Sequence, residues 1–138
     1  MPIGSMSLPP PDLIRIVIAD DDRFFVEMLR SSLSEHAAFE VVGTAGTGAE
    51  AVERVEELKP DLVLMDLTMP VLDGVDAMRE IRKLPDSPAV VFITGEEGEV
   101  SAHQAYRGGA AAYLRKTHDL PLLVGVIVAV SQARVASA

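Results

Sequence analysis

Four apolar residues, Leu62-Val63-Leu64-Met65, run straight into a carboxylate, Asp66, and Thr68-Met69-Pro70 breaks the chain just beyond it. An apolar run of this length bounded by turn residues is the pattern of a strand buried on both faces. Asp66 then stands at the carboxyl end of a central strand, where the chain leaves the sheet. In open α/β sheets that edge is where ligands bind. The rest of the chain can be searched for the partners of this one carboxylate.

Met1 to Asp12, with Pro2, Gly4 and Pro9-Pro10-Pro11, has no period and reads as a flexible leader. The folded domain is expected over 13–135. Its first strand is Leu13 to Ala19, followed at once by Asp20-Asp21-Asp22. A helix follows with Phe25, Met28, Leu29 and Leu33 on one face, and Asp22 is expected to cap it. Phe39 to Val42 is the second strand and Gly43 to Gly48 a turn. The second helix turns Ala51, Val55 and Leu58 inward and is stopped by Pro60. After the Asp66 strand comes a third helix, Leu72 to Leu84, with Val75, Met78 and Ile81 at spacing three. Ala89 to Ile93 forms a fourth strand ending at Thr94. A short helix is expected between about Glu99 and Tyr106, ended by Gly108-Gly109. Ala110 to Arg115 is a fifth strand with Lys116 at its end, and Asp119 is expected to cap the last helix, which has Pro121 in its first turn. Five strands alternating with five helices predict one α/β domain with a parallel sheet covered on both faces.

Polar groups stand at the carboxyl ends of four of these strands: Asp20 and Asp21 after the first, Asp66 after the third, Thr94 after the fourth and Lys116 after the fifth. Neighbouring strands lie roughly 5 Å apart. If the first and third strands are neighbours, three carboxylates converge, and at an effective dielectric of about 20 they repel by several kcal/mol. A cation must compensate. Oxygen-only ligands without His or Cys suit Mg²⁺ or a similar hard ion, and Lys116 adds a fixed positive charge. A carboxylate beside such an ion, a lysine and a threonine hydroxyl is suited to receive a phosphoryl group, since that transfer asks mainly for in-line positioning and charge neutralisation.

The same residues carry a family resemblance. Val17-Ile18-Ala19-Asp20-Asp21, Pro60 through Met69-Pro70, Asp73-Gly74, Val91-Phe92-Ile93-Thr94-Gly95 and Gly109 through Lys116 are similar to the receiver domain of bacterial two-component response regulators. The resemblance spans about Ile14 to Ala133. It implies a flavodoxin-like (βα)5 fold with strand order 2-1-3-4-5, and phosphorylation by a sensor histidine kinase or phosphotransfer protein with slow self-hydrolysis. Asp66 resembles the phospho-acceptor. Asp21, Asp66 and the backbone carbonyl of Thr68 resemble the Mg²⁺ ligands, with Asp20 reaching the ion through a water. Thr94 and Lys116 resemble the phosphate-sensing pair and Tyr113 the aromatic switch. Many receivers carry a proline after the lysine, where this chain has Thr117. Those ahead of a LuxR-type DNA-binding domain often lack it, and the opening Ile16 to Asp21 resembles theirs. The chain is therefore expected to be a stand-alone receiver or a part of such a transcriptional regulator.

Two other readings use the same residues. Gly46-Thr47-Gly48-Ala49-Glu50-Ala51 matches the G-x-G-x-x-A of dinucleotide-binding folds, with Asp66 twenty residues beyond Gly46. A turn followed by a helix start is the preferred account of it, because the motif alone is weak. Only three strands follow, too few for two mononucleotide-binding halves. A small aspartate-nucleophile phosphohydrolase would need a second acid two residues after Asp66, where Thr68 stands. His36, His103 and His118 show no ligand spacing.

Net charge of -9 argues against direct nucleic-acid binding, which rests on clustered Lys and Arg. No apolar run approaches the roughly 18 residues of a membrane span. With no cysteine, a reducing, cytoplasmic setting is expected. Leu120 to Val130 has no charged residue, although a surface helix should have a charged face. In receivers the surface made by the fourth helix, fifth strand and fifth helix is a common dimer or output face. Here it is expected to self-associate or to pack on another domain.

Overall fold

The computed structural model describes residues 13–67, 69, 72–95, 106–116 and 120–137. Strands β1 (Ile14–Ala19), β2 (Phe39–Ala45), β3 (Leu62–Met65), β4 (Ala89–Thr94) and β5 (Ala112–Arg115) form one parallel sheet in the order β2-β1-β3-β4-β5. Helices α1 (Arg23–Ser34), α2 (Gly48–Leu58) and α3 (Gly74–Arg82) alternate with the first strands, and the last helix is Leu120–Ser137. This is a flavodoxin-like (βα)5 arrangement with the strand order the resemblance implies.

Side-chain alternation along the strands builds two separate cores. Val17, Ala19, Val63, Met65, Val90 and Phe92 face α2 and α3. Ile16, Ile18, Leu62, Leu64, Val91 and Ile93 face α1 and the last helix. All four β3 residues are buried, so the strand before Asp66 is the centre of the molecule. The registers Ala19↔Met65, Met65↔Phe92 and Phe92↔Tyr113 align the carboxyl ends of four strands.

Local chemistry sets where each helix begins. Asp22 Oδ1 accepts from the Phe25 N–H at 3.1 Å, so the third acid of the run is the expected cap. Thr47 caps α2 through the Glu50 N–H at 3.0 Å, and Asp73 caps α3 through the Asp76 N–H at 2.9 Å. Helix α3 is thus shorter than its apolar spacing suggests. Helix α2 ends at Leu58 because Lys59 turns left-handed (φ 48°) and donates its N–H to the Val55 carbonyl. Pro60 follows this cap and does not itself break the helix.

The turn expected over Gly43 to Gly48 starts later, because β2 runs on to Ala45. The pairing with β1 continues after the register slips between Ile16 and Val17, and Gly43 belongs to the ladder. A Cβ on Gly43 would come 2.7 Å from Leu58 Cδ1, so the strand passes close under the end of α2 here. Strand β5 starts at Ala112, two residues later than expected. The expected short helix near Glu99 lies outside the described residues up to 105; 106–108 are helical, and Gly109 ends the turn at φ +104°. The leader, Asp119, His103 and His118 also lie outside them. His36 sits just beyond the end of α1, stacked on Phe39 at 4.7 Å, with its Nδ1 accepting from the Ala38 N–H.

Candidate functional site

The ladder continues past the strand ends and carries the acids with it. The Asp20 N–H donates to the Ala45 carbonyl and the Asp66 N–H to the Ala19 carbonyl, each at 2.9 Å. Asp20, Asp66 and Lys116 continue the alternation of Ile18, Leu64 and Leu114, so all three belong to the α1 face of the sheet. Parity puts them on one face, and the long Lys116 side chain reaches back across β4 to the two acids. Carboxylate oxygens of Asp20, Asp21 and Asp66 lie within 4.8 Å of one another. Asp20 and Asp66 are buried and Asp21 is exposed. On the Asp21 side the site opens to a cleft of about 690 Å³ between the starts of α1 and α2, lined in part by Asp20, Asp21, Arg23, Thr47 and Glu50.

Lys116 Nζ bridges two of the acids, donating to Asp20 Oδ2 at 2.8 Å and to Asp66 Oδ2 at 3.3 Å. The other Asp20 oxygen accepts from the Asp22 N–H at 2.9 Å. Burial pushes the Asp20 carboxyl up to about 6; its bonds to Lys116 and the Asp22 N–H oppose the rise, and the Asp66 charge adds to it. For Lys116, burial alone would lower the ammonium, but the hydrogen bond and charge of Asp20, with Asp66, outweigh it and raise the pKa.

A linkage prediction follows. Because the folded state holds the Asp20 proton more tightly than the unfolded chain, the stability this gives is fully present below pH 3.8 and is lost as pH rises through about 6. Metal-free protein should lose on the order of 2–3 kcal/mol between pH 4 and pH 7 from this group. In Asp20→Asn that slope should be absent. Urea unfolding across this range, with divalent ions chelated, measures it.

Gly74 explains the Asp73-Gly74 pair. A Cβ there would overlap the Asp66 carbonyl oxygen and come 2.8 Å from Leu67 Cα, while the Gly74 N–H donates to the Leu67 carbonyl at 2.8 Å. The first residue of α3 thus rests on the backbone that carries Asp66. At Gly48, a Cβ would overlap the Leu72 carbonyl, whereas Gly46 has open space around it. The G-x-G spacing here serves helix-to-loop packing.

Tyr113 projects to the opposite face, half-buried against the α2 and α3 core, with Tyr106 at 6.4 Å between ring centroids. Its hydroxyl is buried and has no hydrogen-bond partner among the described residues. Thr68, Thr117 and the side chain of Thr94 lie outside the described residues, although β4 ends at Thr94. One contact was not legible in the sequence: Lys116 Nζ lies 4.7 Å from the centroid of the Phe25 ring. The apolar spacing of α1 predicts only a core role for Phe25.

The donor set fits a hard divalent cation. Three carboxylates against one ammonium leave the cluster with an excess of negative charge, and every ligand atom in it is oxygen. Among the described residues no helix is long and apolar enough to cross a membrane.

Residues 16–128 match the family model of the response regulator receiver domain. The chain is 35% identical over 118 residues to the chemotaxis protein CheY of Thermotoga maritima, covering 86% of this chain and 98% of that one. It is 42% identical over 112 residues to the transcriptional regulatory protein YhcZ of Bacillus subtilis, covering 80% of this chain and 52% of the relative. Its fold superposes on the signal receiver domain of NarL from Mycobacterium tuberculosis with a TM-score of 0.83 at 30% identity, over 88% of this chain and 98% of that one. The chain spans nearly the whole of CheY, about half of YhcZ and about a quarter of the protein-glutamate methylesterases it matches.

Proposed function

This chain belongs to the response regulator receiver family, and on that premise we propose that Asp66 accepts a phosphoryl group from the phosphohistidine of a sensor kinase or phosphotransfer protein. The observation that carries the reading is the meeting of Asp20, Asp21 and Asp66 within 4.8 Å, with Lys116 bonded to two of them. An Asp66 carboxylate oxygen forms the new bond to phosphorus as the P–N bond breaks. The departing imidazole nitrogen keeps the electron pair. Lys116 turns from the Asp66 oxygen to an equatorial phosphoryl oxygen, and Thr94 is proposed to hydrogen-bond another. Mg²⁺ would be held by Asp20, Asp21, Asp66 and the Thr68 carbonyl, and when bound would neutralise charge on the carboxylate and phosphoryl oxygens.

Phosphorylation adds about -1.5 to -2 charge by analogy with other phosphorylated side chains. Thr94 and Tyr113 are proposed to respond to it, which would carry the change to the face beside the last helix. The chain acts as a signalling switch, with at most self-phosphorylation and slow self-hydrolysis as its own chemistry. We take 13–135 as the receiver, 1–12 as its leader, and the cytoplasm as its setting, in keeping with the lack of cysteine.

Electrospray mass spectrometry after incubation with Mg²⁺ and acetyl phosphate tests the reading. One added phosphoryl mass is expected, absent when the metal is chelated and absent in Asp66→Asn. No gain with either acetyl phosphate or phosphoramidate would overturn it.

The last helix supports a second part of the proposal. Leu123, Ile127 and Ser131 form its buried stripe, while Pro121, Leu122, Gly125 and Ala129 are exposed without a charge among them. We assign this face to self-association or to an output domain. Light scattering should show a dimer fraction that grows with concentration or with beryllofluoride. A strict monomer under both conditions would remove self-association.

A further inference from the structure

We propose that Phe25 is a positioning residue for Lys116: its ring face holds the ammonium above the acidic site, and so sets how fast Asp66 takes up a phosphoryl group. The kinetic half of this proposal rests on the phospho-acceptor reading above.

Lys116 follows a four-residue strand at the edge of the sheet, and its ammonium stands at the end of a long flexible stem. Its two acidic contacts are unequal, with Asp20 at 2.8 Å and Asp66 at 3.3 Å. The stronger pair therefore draws the ammonium away from the residue that receives the phosphoryl group. Phe25 lies on a different element, in the first turn of α1, buried against Ile18, Leu29, Leu64 and Ile93. Its ring cannot drift, and its face lies 4.7 Å from Nζ. An aliphatic side chain there would exclude water equally well. Only an aromatic face also attracts the cation, through the ring quadrupole. The ammonium is then held between the two acids before any donor arrives. That is preorganisation of a charge the transfer needs.

Replacing Phe25 with 4-fluoro-, 3,5-difluoro- and 3,4,5-trifluorophenylalanine leaves the ring shape nearly unchanged while progressively removing its negative face. The logarithm of the uptake rate from acetyl phosphate should fall steadily along the series, reaching a loss of about three- to tenfold at the last member, with the unfolding midpoint falling by only a few degrees. In the unmodified protein the Lys116 ε-methylene protons should resonate upfield of ordinary lysine through the ring current, and Phe25→Leu should abolish that shift. A rate that is flat along the series would mean that Phe25 merely packs, and would overturn the proposal. So would an unshifted ε-methylene signal in the unmodified protein. Failure of that protein to take up any phosphoryl group would overturn the phospho-acceptor reading and the kinetic half together. The ring-current shift, which needs no donor, separates that failure from a misplaced Lys116.

Discussion

Gly74→Ala should unfold roughly 3 kcal/mol more easily than the parent chain and should lose divalent-metal binding as well. The added Cβ would overlap the Asp66 carbonyl oxygen, come 2.8 Å from Leu67 Cα and 3.0 Å from Phe92 Cε1. Two of these three neighbours are backbone, in a strand exit tied to β1 by the bond from the Asp66 N–H to the Ala19 carbonyl. They can move only by moving Asp66. Overpacking against atoms that can yield costs about 1–3 kcal/mol, and rigid neighbours place this case at the upper end. For a domain of this size the midpoint should drop by about 10 °C. Gly46→Ala is the matched control, because nothing lies within 4 Å of its would-be Cβ. It should unfold within about 0.5 kcal/mol of the parent. Thermal scans with and without Mg²⁺ separate the two effects: Gly46→Ala should be stabilised by the ion as the parent is, and Gly74→Ala should not.

The second large effect belongs to Lys116→Ala. Its removal strands two buried carboxylates, Asp20 and Asp66, without their shared counter-charge. Breaking a buried ion pair by deleting one partner typically costs 3–5 kcal/mol. Lys116 keeps about a fifth of its side chain exposed, which places the loss near the lower end, at about 3 kcal/mol in metal-free protein at pH 7.5. The loss should shrink below pH 6, where Asp20 takes up a proton. It should shrink again when Mg²⁺ is added, since a cation then replaces the one removed, and Mg²⁺ affinity should rise. Uptake from acetyl phosphate should nevertheless fall by about 10²–10³-fold, the usual consequence of losing one preorganised donor to a developing oxyanion. Stability rescued by the ion while uptake stays slow is the pattern that identifies Lys116 as more than a counter-ion. Denaturant titrations and quench-flow mass spectrometry give the two halves.

Much of this was legible from residue order because alternation and strand-end position are local properties. Asp66 after an apolar run and Asp22 as a cap are read from neighbouring residues, and period-two alternation on a parallel sheet puts Asp20, Asp66 and Lys116 on one face. What was not legible depended on tertiary contact. Gly43-Thr44-Ala45 has turn composition, yet pairing with β1 extends it into a strand. Asp73 looks like one more helical residue after Leu72, and only its bond to the Asp76 N–H marks it as the cap. Phe25 on an apolar helix face reads as core, and nothing near it in sequence announces a lysine from the far end of the sheet.

The two sides of the acidic site differ in how readily they open. Asp20 and Asp66 follow β1 and β3, each paired on both sides and made largely of fully buried residues. Their amides should exchange with solvent deuterium only through global unfolding. Lys116 and Tyr113 belong to β5 and its exit, where the strand has a single neighbour, four residues and an only partly buried surface. Sub-global opening is cheapest there. The acids thus form a fixed floor, and the cation above them is carried on a flap that can detach while the floor stays folded.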